Sequence, residues 1–214
     1  MQLKGKKIIF LGDSITEGVG VSSLDKRYTD VFVRITEVES CVNYGISATR
    51  LARQQKIQDE YVDRNAFTER YANMDDDANI VIVFGGTNDY GHGDAPFGTL
   101  EDRIIDTYCG AVHCLMRGLI EKYPLATIVF MTPLHREGDH IPCENTGKEL
   151  KEYVDVIKTV AEYYSIPVLD LYSIAGICPD IKEQKELLCP DGLHPNDAGS
   201  MIIAKRLKQF LEAL

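Results

Sequence analysis

Apolar and polar residues alternate along the chain in two patterns, which predict strands and helices in turn. Uninterrupted apolar runs, such as residues 8–11 and 80–84, are typical of strands buried on both faces of a parallel sheet. Between these runs, apolar residues recur at helical spacing. The predicted strands are residues 8–11, 41–44, 79–84, 127–131 and 166–170. The predicted helices are residues 24–40, 100–123, 149–164 and 196–211, with one or two surface helices within 49–77 and a short helix within 173–188.

Strand and helix alternate about five times without a linker, a repeat or a low-complexity tract. This alternation is the pattern of an α/β protein with a parallel sheet covered by helices on both faces. The sequence therefore predicts a single three-layer α/β/α domain over residues 1–214, with a five-stranded parallel sheet.

Composition and charge exclude several classes of partner. The net charge is −10 over 214 residues, so the phosphates of nucleic acid and anionic lipid would be repelled. No apolar run approaches the roughly twenty residues of a membrane span, and the run before Gly12 is too short for a signal-peptide core. The six cysteines form no Cys-x-x-Cys pair and are expected to be reduced thiols. We therefore expect a cytoplasmic protein.

Polar residues follow the predicted strands in glycine-marked turns. Ser14 follows Gly12 after the first strand, and Asn88 follows a glycine pair after the third. Parallel strands bring their carboxyl ends to one edge of the sheet, where open α/β sheets place their sites. Taken singly, each of these residues has an ordinary explanation as a turn or helix-cap residue. Their combined occurrence in order favours a catalytic site.

Four blocks carry a family resemblance that extends from Ser14 to His194. The blocks are Gly-Asp-Ser-Ile-Thr at 12–16, Asn-Tyr-Gly-Ile-Ser at 43–47, Gly-Gly-Thr-Asn-Asp at 85–89 and Asp-Gly-Leu-His-Pro at 191–195. Together they resemble the SGNH hydrolases, also called the GDSL esterases and lipases. The resemblance implies a flavodoxin-like architecture and ester hydrolysis, and it departs from hydrolases with a Gly-x-Ser-x-Gly elbow, a motif that is absent here.

The chemistry of acyl transfer assigns three of these residues to a catalytic triad. A serine hydroxyl attacks well only when an imidazole takes its proton and a carboxylate orients that imidazole. Ser14 is the predicted nucleophile, His194 the base and Asp191 its orienting partner. The Asp-x-x-His spacing on one turn lets the carboxylate fold back to the ring. Activity should fall when His194 is protonated.

The resemblance also implies an oxyanion hole of three donors. These are the backbone N–H of Ser14, the backbone N–H of Gly45 and the side-chain amide of Asn88. Glycine permits close backbone approach to a ligand, and an amide donates without a counter-ion. Asp13 and Asp89 are interpreted as turn and network residues.

The loops at 90–98 and 134–146 are predicted to face the substrate. They carry His92, Asp94, His135 and Arg136, which would suit hydroxyls or a charged group. The same loops, with His140 and Cys143, could supply zinc ligands, but they lack the usual ligand spacing. We therefore expect neither a metal nor an organic cofactor.

These observations predict a serine esterase that acts on a small-molecule ester, with a short acyl group on a polar or carbohydrate alcohol. Three alternatives stay open at this point. They are a lysophospholipase- or thioesterase-type lipase for longer acyl chains, an acyltransferase that uses the same acyl-enzyme, and a non-catalytic binding module on the same fold. The oligomeric state is not encoded in these motifs.

Overall fold

The computed structural model describes residues 1–214 and contains one sheet of five strands, all parallel. The spatial strand order is β2-β1-β3-β4-β5. The strands are β1 (Lys7–Gly12), β2 (Ser40–Gly45), β3 (Ile80–Phe84), β4 (Thr127–Met131) and β5 (Val168–Leu169). The helices are α1 (Ser14–Glu17), α2 (Tyr28–Ile35), α3 (Glu60–Asp63), α4 (Phe67–Arg70), α5 (Thr87–His92), α6 (Tyr108–Lys122), α7 (Leu150–Tyr163), α8 (Leu171–Ile174), α9 (Lys182–Leu188) and α10 (Asp197–Ala213).

Helices cover both faces of the sheet, which confirms the predicted three-layer α/β architecture. Side chains alternate across a strand, so neighbouring residues of β1 enter different cores. Ile9 and Leu11 belong to a core that includes residues of α6 and α7. Ile8 and Phe10 belong to a second core on the opposite face, which includes residues of α2 and α10.

The register of β2, β1 and β3 aligns their carboxyl ends at one edge of the sheet. Gly12 at the end of β1 pairs with Gly45 on one side and with Phe84 on the other. The segments that follow these three residues therefore leave the sheet at the same level. This edge receives Ser14, the loop after Gly45 and the start of α5.

The predicted helix over residues 100–123 is too long, because α6 begins at Tyr108. Thr107 caps the helix, and its Oγ1 accepts a hydrogen bond from Gly110 N. The Asp102 carboxylate accepts hydrogen bonds from Thr99 N, Thr99 Oγ1 and Thr107 Oγ1. These bonds hold the preceding segment as a separate turn, so the helical pattern of residues 100–107 does not become helix.

Two other predicted helical regions also differ. The region 24–40 contains a short 3₁₀ turn at Leu24–Lys26 and then α2, which ends where Thr36 Oγ1 bonds to Phe32 O. The predicted surface helices within 49–77 are α3 and α4, but α4 is not a surface element. Phe67 and Arg70 of α4 are buried, because this short helix closes one face of the core.

No helix of the chain is both long enough and apolar enough to cross a membrane.

Candidate active site

Ser14 lies at the first position of α1, immediately after β1. Asp13 caps this helix by accepting a hydrogen bond from Ile15 N at 3.0 Å. Burial raises the pKa of Asp13 to about 7. The short turn between strand and helix leaves the Ser14 side chain 6% exposed at the edge of the sheet.

Ser14, His194 and Asp191 form one hydrogen-bonded row. Ser14 Oγ lies 2.9 Å from His194 Nε2, and His194 Nδ1 lies 2.6 Å from Asp191 Oδ2. The other Asp191 oxygen accepts the backbone N–H groups of Leu193 and His194. Burial alone would raise the pKa of Asp191, but the hydrogen bonds from His194 and Leu193 outweigh it and hold this pKa below its usual range.

The turn that carries Asp191 and His194 depends on a glycine. Gly192 has a φ of 80°, a left-handed conformation that side chains rarely adopt. A Cβ at this residue would also lie 2.8 Å from Glu137 Cβ. The turn is fixed against the loop that follows β4, where Glu137 N donates to Gly192 O at 2.7 Å.

Asn88 is buried in the first turns of α5, at the same edge of the sheet. Its Nδ2 donates to Thr49 O at 3.0 Å, and its Oδ1 lies 3.1 Å from His92 Nε2. An amide nitrogen carries two hydrogens, so Nδ2 retains one for another acceptor. Neighbouring Asp89 accepts the N–H groups of Leu51 and Ala52, which is the predicted network role.

Gly45 occupies the predicted edge of the sheet, but its N–H is not free. This N–H donates to Asn43 Oδ1 at 2.8 Å. A Cβ at Gly45 would lie 2.2 Å from Glu17 N, so the glycine allows α1 to pack against β2. The structure therefore does not bring the Gly45 N–H into the site as an available donor, contrary to the prediction.

Ala48, three residues further on, has the free backbone N–H that the sequence analysis expected at Gly45. Its φ is 62°, and its N–H has no acceptor in the chain. The loop around it is held on both sides, because Ser47 donates to the Glu17 carboxylate and Thr49 O accepts from Asn88. No sequence signal marks Ala48, since alanine does not usually adopt a left-handed conformation.

A cleft of about 490 Å³ lies between α5 and the loop after β4. One of its lining residues, Glu137, contacts the turn that carries Asp191 and His194. Tyr90 and His92 line one side, and Arg136 and Glu137 are among the residues of the other. Residues 90–92 belong to α5 rather than to a free loop, yet they form the predicted wall of a pocket.

Only one of the four polar residues predicted to face the substrate keeps unused donors. The Asp94 carboxylate accepts the N–H groups of Gln55 and Lys56, and His135 bonds to Asp139. Both ring nitrogens of His92 are engaged within the protein. Arg136 bonds through Nη1 to Thr87, has no carboxylate partner, and leaves Nε and Nη2 without a partner. Burial lowers its pKa.

The structure does not assemble the predicted zinc-ligand candidates into one group. The cluster with metal-ligand spacing is instead Asp139, His140 and Asp180, whose ligand atoms lie within 4.8 Å of one another. Asp139 already binds His135, and Asp180 accepts from Gly138 N and contacts His140. Each of the two carboxylates therefore already has a partner within the protein.

Arg70 is a buried residue of the site that the sequence did not reveal. Its guanidinium donates to the carbonyl groups of Gly12 and Tyr44. Gly12 is the last residue of β1, and Tyr44 is the last but one of the neighbouring strand β2. It also contacts Thr49 Oγ1. Burial lowers the pKa of Arg70 to about 10. An arginine within a polar stretch carries no sequence signal for such a role.

The carboxyl edge of the sheet thus carries a serine–histidine–aspartate row of the kind that acyl transfer uses. The chain belongs to the GDSL-like Lipase/Acylhydrolase family, whose model matches residues 10–202. This match confirms the resemblance found in the four sequence blocks. No curated protein matches the chain.

Solved structures with the same fold include both similar and distant sequences. A protein of Lactobacillus plantarum is 31% identical, with a TM-score of 0.85 and 99% of each chain covered. A lipase/acylhydrolase of Enterococcus faecalis is 20% identical, with a TM-score of 0.67 and coverage of 97% of this chain and 96% of that chain. A variant of an acetyl-xylooligosaccharide esterase from Geobacillus is 21% identical, with a TM-score of 0.66 and coverage of 99% and 96%.

Proposed function

We propose that the protein is a serine esterase that hydrolyses carboxylic esters through an acyl-enzyme. The observation that carries this proposal is the row from Ser14 Oγ through the His194 ring to Asp191, with contacts of 2.9 and 2.6 Å. Membership of an acylhydrolase family supports the same reaction.

The chemistry takes two steps. His194 Nε2 removes the Ser14 proton as Oγ attacks the ester carbonyl, and the imidazolium then protonates the leaving alcohol. Water, activated by the same imidazole, releases the acyl group from Ser14. Asp191 keeps the proton of the neutral ring on Nδ1 and stabilises the imidazolium. Each step leaves the nitrogen that faces Ser14 ready for the next proton transfer.

The negative charge that develops on the carbonyl oxygen needs donors already in place. We assign this role to the backbone N–H of Ser14 and the free Nδ2 hydrogen of Asn88. Because the Gly45 N–H is bonded to Asn43, the unpaired N–H of Ala48 is the better third candidate. The loss of one such donor typically costs roughly a hundred- to a thousand-fold in kcat.

We propose a substrate with a short acyl group on a polar or carbohydrate alcohol. The cleft wall supports this choice, because Arg136 offers unused N–H donors that fit hydroxyls or a charged group. The distant Geobacillus structure, a variant of an acetyl-xylooligosaccharide esterase, is consistent with it. We also propose that the reaction needs no metal and that the protein acts in the cytoplasm.

A series of p-nitrophenyl esters tests both the reaction and the acyl preference. We expect kcat/KM to fall by roughly tenfold or more from acetate to octanoate, because a long apolar chain would remove water from the polar groups of the cleft without offering them hydrogen bonds. Rates should be corrected with the Ser14→Ala variant at matched concentration. A preference for octanoate would favour the lipase alternative, whereas rates equal to the variant's for every ester would contradict esterase activity.

A further inference from the structure

The orientation of the Asn88 side chain decides whether it can serve an oxyanion. An amide has one donating and one accepting end, and only Nδ2 can bond to a negatively charged oxygen. Here Oδ1 faces His92 Nε2 at 3.1 Å, and Nδ2 faces Thr49 O at 3.0 Å. This arrangement requires His92 to carry its proton on Nε2.

Arg50 sets that protonation state. Arg50 Nη2 lies 2.7 Å from His92 Nδ1 and also donates to His92 O at 3.3 Å. A guanidinium has donors and no acceptor, so Nδ1 must supply a lone pair. The ring is therefore neutral, with its proton on Nε2, where it donates to Asn88 Oδ1.

Arg50 is itself held by a buried carboxylate. Its Nη1 lies 2.7 Å from Asp63 Oδ1, and the Asp63 side chain is only 4% exposed. Asp63 Oδ2 also accepts the N–H groups of Gln58 and Asp59. Burial would raise the pKa of Asp63, but these N–H groups and the guanidinium outweigh it, so the carboxyl stays ionised.

The opposite tautomer of His92 would reverse the amide. A proton on Nδ1 would point at the Arg50 guanidinium, and the bare Nε2 would seek a hydrogen from Asn88. The amide would then turn Nδ2 toward His92 and Oδ1 toward the Thr49 carbonyl, where two acceptors repel. The donor available to the substrate would be lost.

We propose that Arg50 and His92 are positioning residues that hold the Asn88 amide with its free Nδ2 hydrogen toward the substrate oxyanion. The inference rests on the proposed function for the role of Asn88, while the chain from Asp63 to Asn88 rests on the contacts alone. Partial burial and the charges of Arg50 and Arg136 lower the pKa of His92 to about 4, which keeps the ring neutral at neutral pH.

A double-mutant cycle between His92 and Asn88 tests this role on p-nitrophenyl acetate. We expect His92→Leu to lower kcat by about ten- to a hundred-fold and to change KM by no more than about threefold. The loss of kcat should not exceed that caused by removing the Asn88 donor, because a misoriented amide can still donate part of the time. His92→Gln, whose amide can place a donor near the Nε2 position, should recover most of the loss. In an Asn88→Ala background, His92→Leu should change kcat by less than about twofold, since it acts only through Asn88.

The outcomes separate this inference from the proposed function. If Asn88→Ala leaves kcat unchanged, the oxyanion assignment fails. If Asn88→Ala lowers kcat but His92→Leu does not, or if the two losses multiply in the double variant, the positioning role fails and the esterase stands. His140→Leu is the matched control, because His140 is exposed and its ion-pair partner is Asp180; it should leave kcat unchanged.

A spectroscopic measurement on the wild-type protein does not depend on activity. The ring ¹⁵N shifts of His92 at neutral pH should show a protonated Nε2 and an unprotonated Nδ1. The His92→Gln spectrum supplies the assignment. A protonated Nδ1, whether in the other neutral tautomer or in the imidazolium, would overturn the proposed chain.

Discussion

Asp13 is buried beside the nucleophile, and its protonation links the stability of the protein to pH. Its pKa is raised by burial from an ordinary 3.8 to about 7. Between these values the folded carboxyl keeps a proton that the unfolded carboxyl has lost. Raising the pH through this window therefore lowers the free energy of unfolding, by about 1.4 kcal/mol for each unit of pKa displacement.

Asp13→Asn removes this dependence and keeps an acceptor for Ile15 N. We expect the variant to gain stability over the wild type as the pH rises from about 4 to about 7, and the difference to level off above that range. Urea unfolding of both proteins across this range measures the difference, and the contributions of groups that do not interact with Asp13 subtract out. Parallel stability curves for the two proteins would show that Asp13 does not carry the proton.

The sequence predicts the serine–histidine–aspartate row better than the oxyanion donors for a physical reason. Ser14 and the Asp191–His194 turn follow from short local patterns, and the parallel sheet brings them to one edge. Gly45 is different, because a glycine in a sequence can indicate either close approach of the backbone to a ligand or close packing of two elements. The contact that decides between these roles, Gly45 against Glu17 N, is not visible in the sequence.

At the scale of elements, the end of α7 is strained. Ser165 has a φ of 55° and follows the helix in a Schellman arrangement. Ile166 N donates to Ala161 O, and Ser165 N donates to Glu162 O. A left-handed residue at this point costs about 1–2 kcal/mol unless it is glycine.

Ser165→Gly should raise the free energy of unfolding by about 0.5–1 kcal/mol, because relief of strain exceeds the added entropy of the unfolded chain. Thermal or urea unfolding measures this gain. Ser165→Ala is the matched control, since it removes the hydroxyl and keeps the strain, and it should give no gain. Equal effects of the two substitutions would assign the result to the hydroxyl instead.

The bounds of β1 to β4 are predicted to within one residue, whereas α2 and α6 begin later than predicted and β5 is shorter than predicted. The run 127–131 is predicted with the bounds of β4, since uninterrupted apolar residues have few other uses. The helical spacing of Leu100 and Ile104 instead continues before α6, although both side chains are exposed in a turn. Hydrogen bonds of Asp102 to residues on both sides of that turn override the periodicity, and such bonds depend on geometry that spacing does not encode.

At the scale of the whole molecule, the order of strands explains how distant residues meet. β1 lies between β2 and β3, so the segments after these three strands converge on Ser14. The chain then returns after α9 to place His194 on the same serine, 180 positions away in sequence. The sequence indicates this topology through alternating elements and the family blocks, while the chain of contacts from Asp63 to Asn88 requires the folded structure.

The central claim is that Ser14 and His194 perform the reaction together. Hydrolysis of p-nitrophenyl acetate by the wild type, Ser14→Ala and His194→Ala, at neutral pH with a chelator present, tests it most directly. We expect turnover by the wild type and a loss of roughly a thousand-fold or more in kcat for each variant, with no further loss in the double variant because the pair acts as a unit. Turnover by either single variant at the wild-type rate would contradict the account, as would a wild type whose rate equals that of both variants.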